Sequence, residues 1–200
     1  MIISVAATKV DASGNRRRVL ALYDVCVAFF HADSDGTIAV IPPEGCAEVG
    51  IVWFLLKAMY GTRPASKLFG SYVTDNMQKE GFQLLAIMPM TFYHPVLDIC
   101  MGCHGDDFLA EGTAASCDEL DKIMHRCFEV KIMPRIGPPE HGGQATSGRH
   151  LGRLIKWSPK GFTWEGNEKH LVDLFEATGL KEGSKGVDSP RVQGHRQRLP

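Results

Sequence analysis

Thr91-Phe92-Tyr93-His94-Pro95-Val96-Leu97-Asp98-Ile99-Cys100-Met101-Gly102-Cys103-His104-Gly105-Asp106-Asp107-Phe108-Leu109-Ala110 is the stretch on which the fold turns. Apolar, strand-favouring residues flank a short polar knot, Gly102–Asp107, with glycine and aspartate where a tight turn needs them. The pattern predicts two strands, Thr91–Met101 and Phe108–Ala110, joined antiparallel. It also sets two carboxylates side by side at Asp106 and Asp107, where their charges repel.

Working outward, Leu20–Phe30 reads as a buried strand broken by one acidic residue, Asp24, and running into a helical turn. An ionised carboxylate among apolar side chains is costly unless paired or metal-bound. Residues 11–18 read as a polar turn, Asp33–Gly36 as another. Thr37–Ile41 is a short strand closed by Pro42-Pro43, Gly45–Gly50 a loop, and Ile51–Leu56 strand-like. Ala65, Leu68, Phe69, Tyr72, Val73 and Met77 recur at spacings of three and four, which predicts a helix over Arg63–Gly81 ending at its glycine. Ser116–Phe128 is a second helix, with Ser116 and Glu119 in a capping-box pattern. Pro134–Gly148 is a loop, and His150–Trp157 with Gly161–Trp164 forms a hairpin. Asn167 is placed to cap a third helix, Glu168–Thr178, ending at Gly179. From Lys181 the chain is polar and basic, and residues 191–200 are expected to be disordered. The order of elements predicts an α+β fold, an antiparallel sheet with helices packed on one face.

Composition narrows the classes. A formal net charge of −1, with 22% charged residues, is that of an ordinary globular protein and not of a dedicated, basic nucleic-acid binder. The first ten residues lack the basic lead and cleavage site of a secretion signal. The longest apolar run, around Val49–Leu56, is far shorter than a membrane span. Six cysteines without a secretion signal read as reduced thiols, so the expected location is intracellular and no membrane partner is expected.

Asp24, Asp106 and Asp107 are the candidates for chemistry. Hard carboxylate oxygens suit Mg²⁺, often one or two of them with substrate phosphates. Two such ions about 3.5–4 Å apart clamp both oxygens of a displacement at phosphorus. On the residues alone, an Asp-Asp pair in a turn is usually just turn chemistry.

Several segments in order resemble the reverse transcriptase of copia-type LTR retrotransposons. Asp24-Val25-Cys26-Val27-Ala28-Phe29-Phe30 is similar to that family's Asp-Val-x-x-Ala-Phe-Leu, and Pro42-Pro43-Glu44-Gly45 to its Pro-Pro-Gly-Phe region. Leu56-Lys57-Ala58-Met59-Tyr60-Gly61 resembles its Leu-Lys-x-Ala/Ser-Leu-Tyr-Gly. His104-Gly105-Asp106-Asp107 stands where the family has Tyr-Val-Asp-Asp, and His150-Leu151-Gly152-Arg153-Leu154-Ile155 resembles Phe-Leu-Gly-Ile-Glu-Ile. Asp188-Ser189-Pro190 is similar to a closing Thr-Pro.

The resemblance covers roughly residues 20–190 and implies a palm fold with partial fingers and the start of a thumb: a truncated fingers remnant over 1–19, a palm-like core over 20–157, a thumb-like hairpin and helix over 158–190, and the tail. It implies an RNA-directed DNA polymerase, with Asp24, Asp106 and Asp107 holding two Mg²⁺ or Mn²⁺ ions. Phe29 would lie under the incoming sugar and reject a 2′-hydroxyl, and Arg63 and Lys67 would meet template or nucleotide phosphate. The implied partners are template–primer, dNTPs and the rest of a Pol polyprotein, its RNase H and integrase. A virus-like particle or the nucleus is the implied place. The chain departs from the family at Pro64, where a glutamine is expected, and at His104-Gly105.

A competing pattern is Cys100-Met101-Gly102-Cys103-His104, the Cys-x-x-Cys-His of c-type haem attachment. A zinc site from Cys100 and Cys103 would need a second ligand pair, which Cys117 and Cys127 do not supply at suitable spacing. Trp157 and Trp164 suit packing under the third helix, or stacking on a base.

Overall fold

A computed structural model describes residues 1–10, 14, 17–46, 50–86, 88–166, 168–181 and 183–185. It is an α+β structure. Its centre is a six-stranded antiparallel sheet in the order β4-β5-β6-β7-β1-β8. These strands are β1 (Val19–Val25), β4 (Gln83–Leu84), β5 (Thr91–His94), β6 (Ile99–His104), β7 (Asp107–Gly112) and β8 (Val130–Ile132). A small hairpin pairs β2 (Ala39–Val40) with β3 (Trp53–Phe54), and a meander joins β9 (Ser147–His150), β10 (Arg153–Ser158) and β11 (Gly161–Glu165).

Alternation along the strands decides which face each residue serves. Val19, Ala21, Tyr23 and Val25 of β1, with Phe108 and Ala110 of β7, face the larger core. Onto it pack α2 (Ala65–Lys79), through Phe69, Val73 and Met77, and α3 (Ala114–Cys127), through Leu120, Ile123 and Met124. Leu20, Leu22 and Leu109 point the other way, into a smaller core with Ala6, Ile136 and Ile155.

That second core corrects the expectation of helices on one face. Residues 1–19, expected as a fingers remnant, supply α1 (Ile2–Thr8), which packs on β1, β6, β7 and β11. Its apolar Ile2, Ile3 and Ala6 cover the sheet face that α2 and α3 leave open. The expected strand Thr91–Met101 is two strands, because Pro95 to Asp98 form a turn in which Asp98 takes φ 52°. The second helix starts earlier than expected: the Ser116 N–H donates to Thr113 Oγ1 at 3.2 Å, so Thr113 is the cap. Arg63 lies in the turn before α2, whose N-cap is Pro64.

Met1–Glu165 form one compact unit, so the boundary expected at 157/158 falls inside β10. The second unit, from Gly166, contains α4 (Glu168–Thr178), followed by Gly179 at φ 67°. Asn167, Asp188-Ser189-Pro190, the tail 191–200 and most of the 11–18 turn lie outside the described residues. No helix among the described residues is long and apolar enough to cross a membrane.

Candidate active site

The strand–turn–strand at 99–112 builds the site. β6 and β7 pair from Cys100↔Glu111 to His104↔Asp107, leaving Gly105-Asp106 as a two-residue turn. Gly105 takes φ 63° and Asp106 stays negative, the type II′ pattern, which favours glycine first. β7 then runs antiparallel to β1, and the register sets Asp24 directly opposite Asp107. The Val25 N–H donates to the Asp106 carbonyl at 3.0 Å, fastening the turn to β1. Residues 24 and 107, far apart in sequence, thus project from one sheet face, with Asp106 next to them.

Directly opposed cross-strand residues bring their Cβ atoms to about 4.5–5.5 Å, where like charges destabilise. Burial raises the Asp107 carboxyl above the ordinary aspartate value, and the charges of Asp106 and Asp24 push it the same way, while His150 and His104 pull it down. A divalent cation relieves this repulsion, and the donor set is of the hard-oxygen kind Mg²⁺ prefers. Among the described residues no three His, Cys, Asp or Glu side chains already stand close enough to grip an ion. Mg²⁺ commonly takes only one or two protein carboxylates, completing its shell with water and substrate phosphate. The facing Asp24 and Asp107 pair fits that use.

The expected substrate residues are partly gathered. Phe29 sits in a 3₁₀ turn (Ala28–His31), its ring 4.5 Å from Tyr60 and 5.9 Å from Phe69 by centroids, so one side is ordinary packing. The other side lines a cavity of about 430 Å³ with Lys67 and Gly105. This cavity runs along α2 and touches the hairpin at Cys103 and Gly105, and none of the three carboxylates lines it. Arg63 is exposed in the turn preceding α2.

Two neighbours escaped the sequence reading. Lys131 on β8 stands opposite Asp24 on its other side, and His150 closes β9 near Asp107 and His104. Burial holds the His150 ring below the usual histidine value, against the pull of Asp107. Nothing local marks either residue; the sheet order brings them in.

The Cys-x-x-Cys-His pattern is divided by the strand. Cys100 and Cys103 are three residues apart on β6, so they project to opposite faces. Burial raises both thiols, Cys103 to about 12, with Asp106 and Asp107 adding to it. Such thiols are protonated and poor ligands. All six cysteines are free. Trp157 packs on the smaller core and Trp164 lies under the Arg153 guanidinium at 5.0 Å, both within the first unit. The chain matches no protein-family model, and no curated protein matches it.

Proposed function

We propose that this chain carries the palm of a copia-type retrotransposon reverse transcriptase. The reading is carried by Asp24 standing opposite Asp107, one residue from Asp106 at a tight turn. An antiparallel sheet backed by two helices on one face, with carboxylates at the strand ends on the other, is what a palm requires. Asp24 and Asp107 would hold the metal, with Asp106 at the turn beside them as a further carboxylate ligand. Bound there, two Mg²⁺ ions supply a more acidic primer 3′-hydroxyl and charge stabilisation for the departing pyrophosphate. Phe29 limits the room at the sugar, and Lys67, on the same cavity, meets phosphate. Arg63 extends this basic edge along the template. The partners are then an RNA or DNA template–primer, dNTPs and the remaining Pol segments.

Primer extension on an RNA template with Mg²⁺ tests the reading. Wild type incorporates dNTPs, Asp106→Asn loses at least about 100-fold, a scale typical of removing one transition-state charge partner, and Phe29→Ala accepts ribonucleotides more readily. A second reading, an inactive remnant with the same fold, draws on the absence of a ready-made three-ligand group among the described residues. Mn²⁺ binding that Asp24→Asn abolishes, without any incorporation by wild type, selects the remnant. Extension that survives Asp106→Asn unchanged overturns both.

A further inference from the structure

The sheet face opposite α2 and α3 carries a second cavity of about 450 Å³, walled by α1, the β6–β7 hairpin and β11. Ile3, Leu109, Phe162, Trp164, Met88 and Met90 make it largely apolar. Phe162 and Trp164 are two residues apart on β11, so both rings project from one side of the strand, with the Arg153 guanidinium over Trp164 at 5.0 Å. One polar group stands out. His150 lines the cavity at 8% exposure, and its ring makes no hydrogen bond among the described residues. No buried side-chain nitrogen or oxygen among the described residues lacks a partner, so the ring nitrogens of His150 open onto accessible space rather than being sealed in protein.

We propose that this cavity binds a neutral, planar, fused-ring molecule with a hydrogen-bond acceptor, its rings against Phe162 and Trp164 and its acceptor on the His150 ring N–H. The volume lies in the range of about 300–1,000 Å³ typical of small-molecule sites, which pair apolar walls with a few convergent polar groups. Aromatic rings favour offset or edge contacts with such a ligand, and methionine thioethers adapt to its outline. Desolvation selects neutrality: an anion would shed its water into the apolar walls, and none of Asp24, Asp106 and Asp107 lines the cavity. An ammonium group would shed its water into apolar walls without a counter-ion in the lining.

The site does not depend on the polymerase reading, and its test needs neither template nor nucleotide. The probe is the neutral naphthalene ketone Prodan, whose emission moves to the blue in apolar surroundings. The full chain is expected to bind it saturably at one site, with energy transfer from tryptophan. His150→Phe keeps a flat aromatic ring, slightly larger, and removes the N–H, and weakens binding at least tenfold. Ser4→Trp, at an exposed position of α1 on the cavity lining, plugs the cavity and removes the saturable phase while circular dichroism and melting stay unchanged. Non-saturable binding by wild type, or either variant binding as tightly as wild type, overturns the proposal.

Discussion

The β1–β7 pair carries charge at both ends, and the two ends are built oppositely. At one end Glu111, opposite Leu20, is 0% exposed and meets the Arg18 guanidinium, which also donates to Asp98 at 3.0 Å, while Lys9 pairs with the same Asp98. The Cys100 N–H donates to Glu111 at 3.2 Å. Every charge there has an opposite partner, and the cluster ties α1 and the β5–β6 turn to the sheet. At the other end Asp24 faces Asp107 with Asp106 adjacent, and the same-sign charges act on one another. A protein that pairs its charges so fully at one end of two strands gathers three carboxylates at the other, where Lys131 of β8 stands beside Asp24 alone. The paired end holds the fold, and the like-charged end suits a counter-ion from outside.

The largest effect that breaks this contrast is expected at the paired end. Glu111→Ala leaves the Arg18 guanidinium, itself 6% exposed, without its carboxylate partner and costs about 3–5 kcal/mol in urea unfolding. Replacing both partners together, Arg18→Met with Glu111→Leu, recovers most of that loss, since well-packed apolar substitutes for a buried pair are often neutral.

Next in size is the response of the other end to metal. Mg²⁺ at a hundredfold excess over its dissociation constant stabilises wild type by about 2.7 kcal/mol, measured as a rise in melting temperature. Asp24→Asn and Asp107→Asn are each expected to lose that rise. A Mg²⁺ response unchanged in both variants would remove the functional contrast between the ends.

A smaller effect sharpens the comparison without metal. The Asp107 carboxyl is held above its unfolded value of 3.8, so its ionisation opposes folding: the penalty is absent below that value and grows as pH rises through the folded value. Asp107→Asn therefore raises stability at neutral pH by up to about 1 kcal/mol, the scale of a like-charge cross-strand pair, and the gain fades at acid pH. Melting curves of both proteins from pH 3 to 7, in chelator, read this directly. The smallest effect is a reference: Lys156→Ala, removing the exposed pair with Glu165 at 2.8 Å, shifts stability by no more than about 0.5 kcal/mol.

Much of this was legible locally. Period-three-and-four spacing from Ala65 to Met77 announced α2, and the third helix ends at Gly179 as its glycine predicts. The knot at Gly105-Asp106 is a hairpin turn because glycine there permits φ 63°. What was not legible is pairing between distant segments. β8 is three residues long and reads as a strand only because β1 lies beside it; β9 is paired only by β10. α1 carries a short apolar run that means nothing until a bare sheet face is present to receive it.

The sequence by itself determined the longer helices, the strands of the central hairpin, the tight turn and the identity of three suspect carboxylates, because these depend on side chains within a few positions of one another. Only the tertiary structure decided that Asp24 faces Asp107, that Cys100 and Cys103 part to opposite faces, that Arg18 neutralises Glu111 and that His150 joins the site. Register across a sheet is set by the burial of whole faces at once, and a slip of one residue would have turned Asp24 to the opposite face.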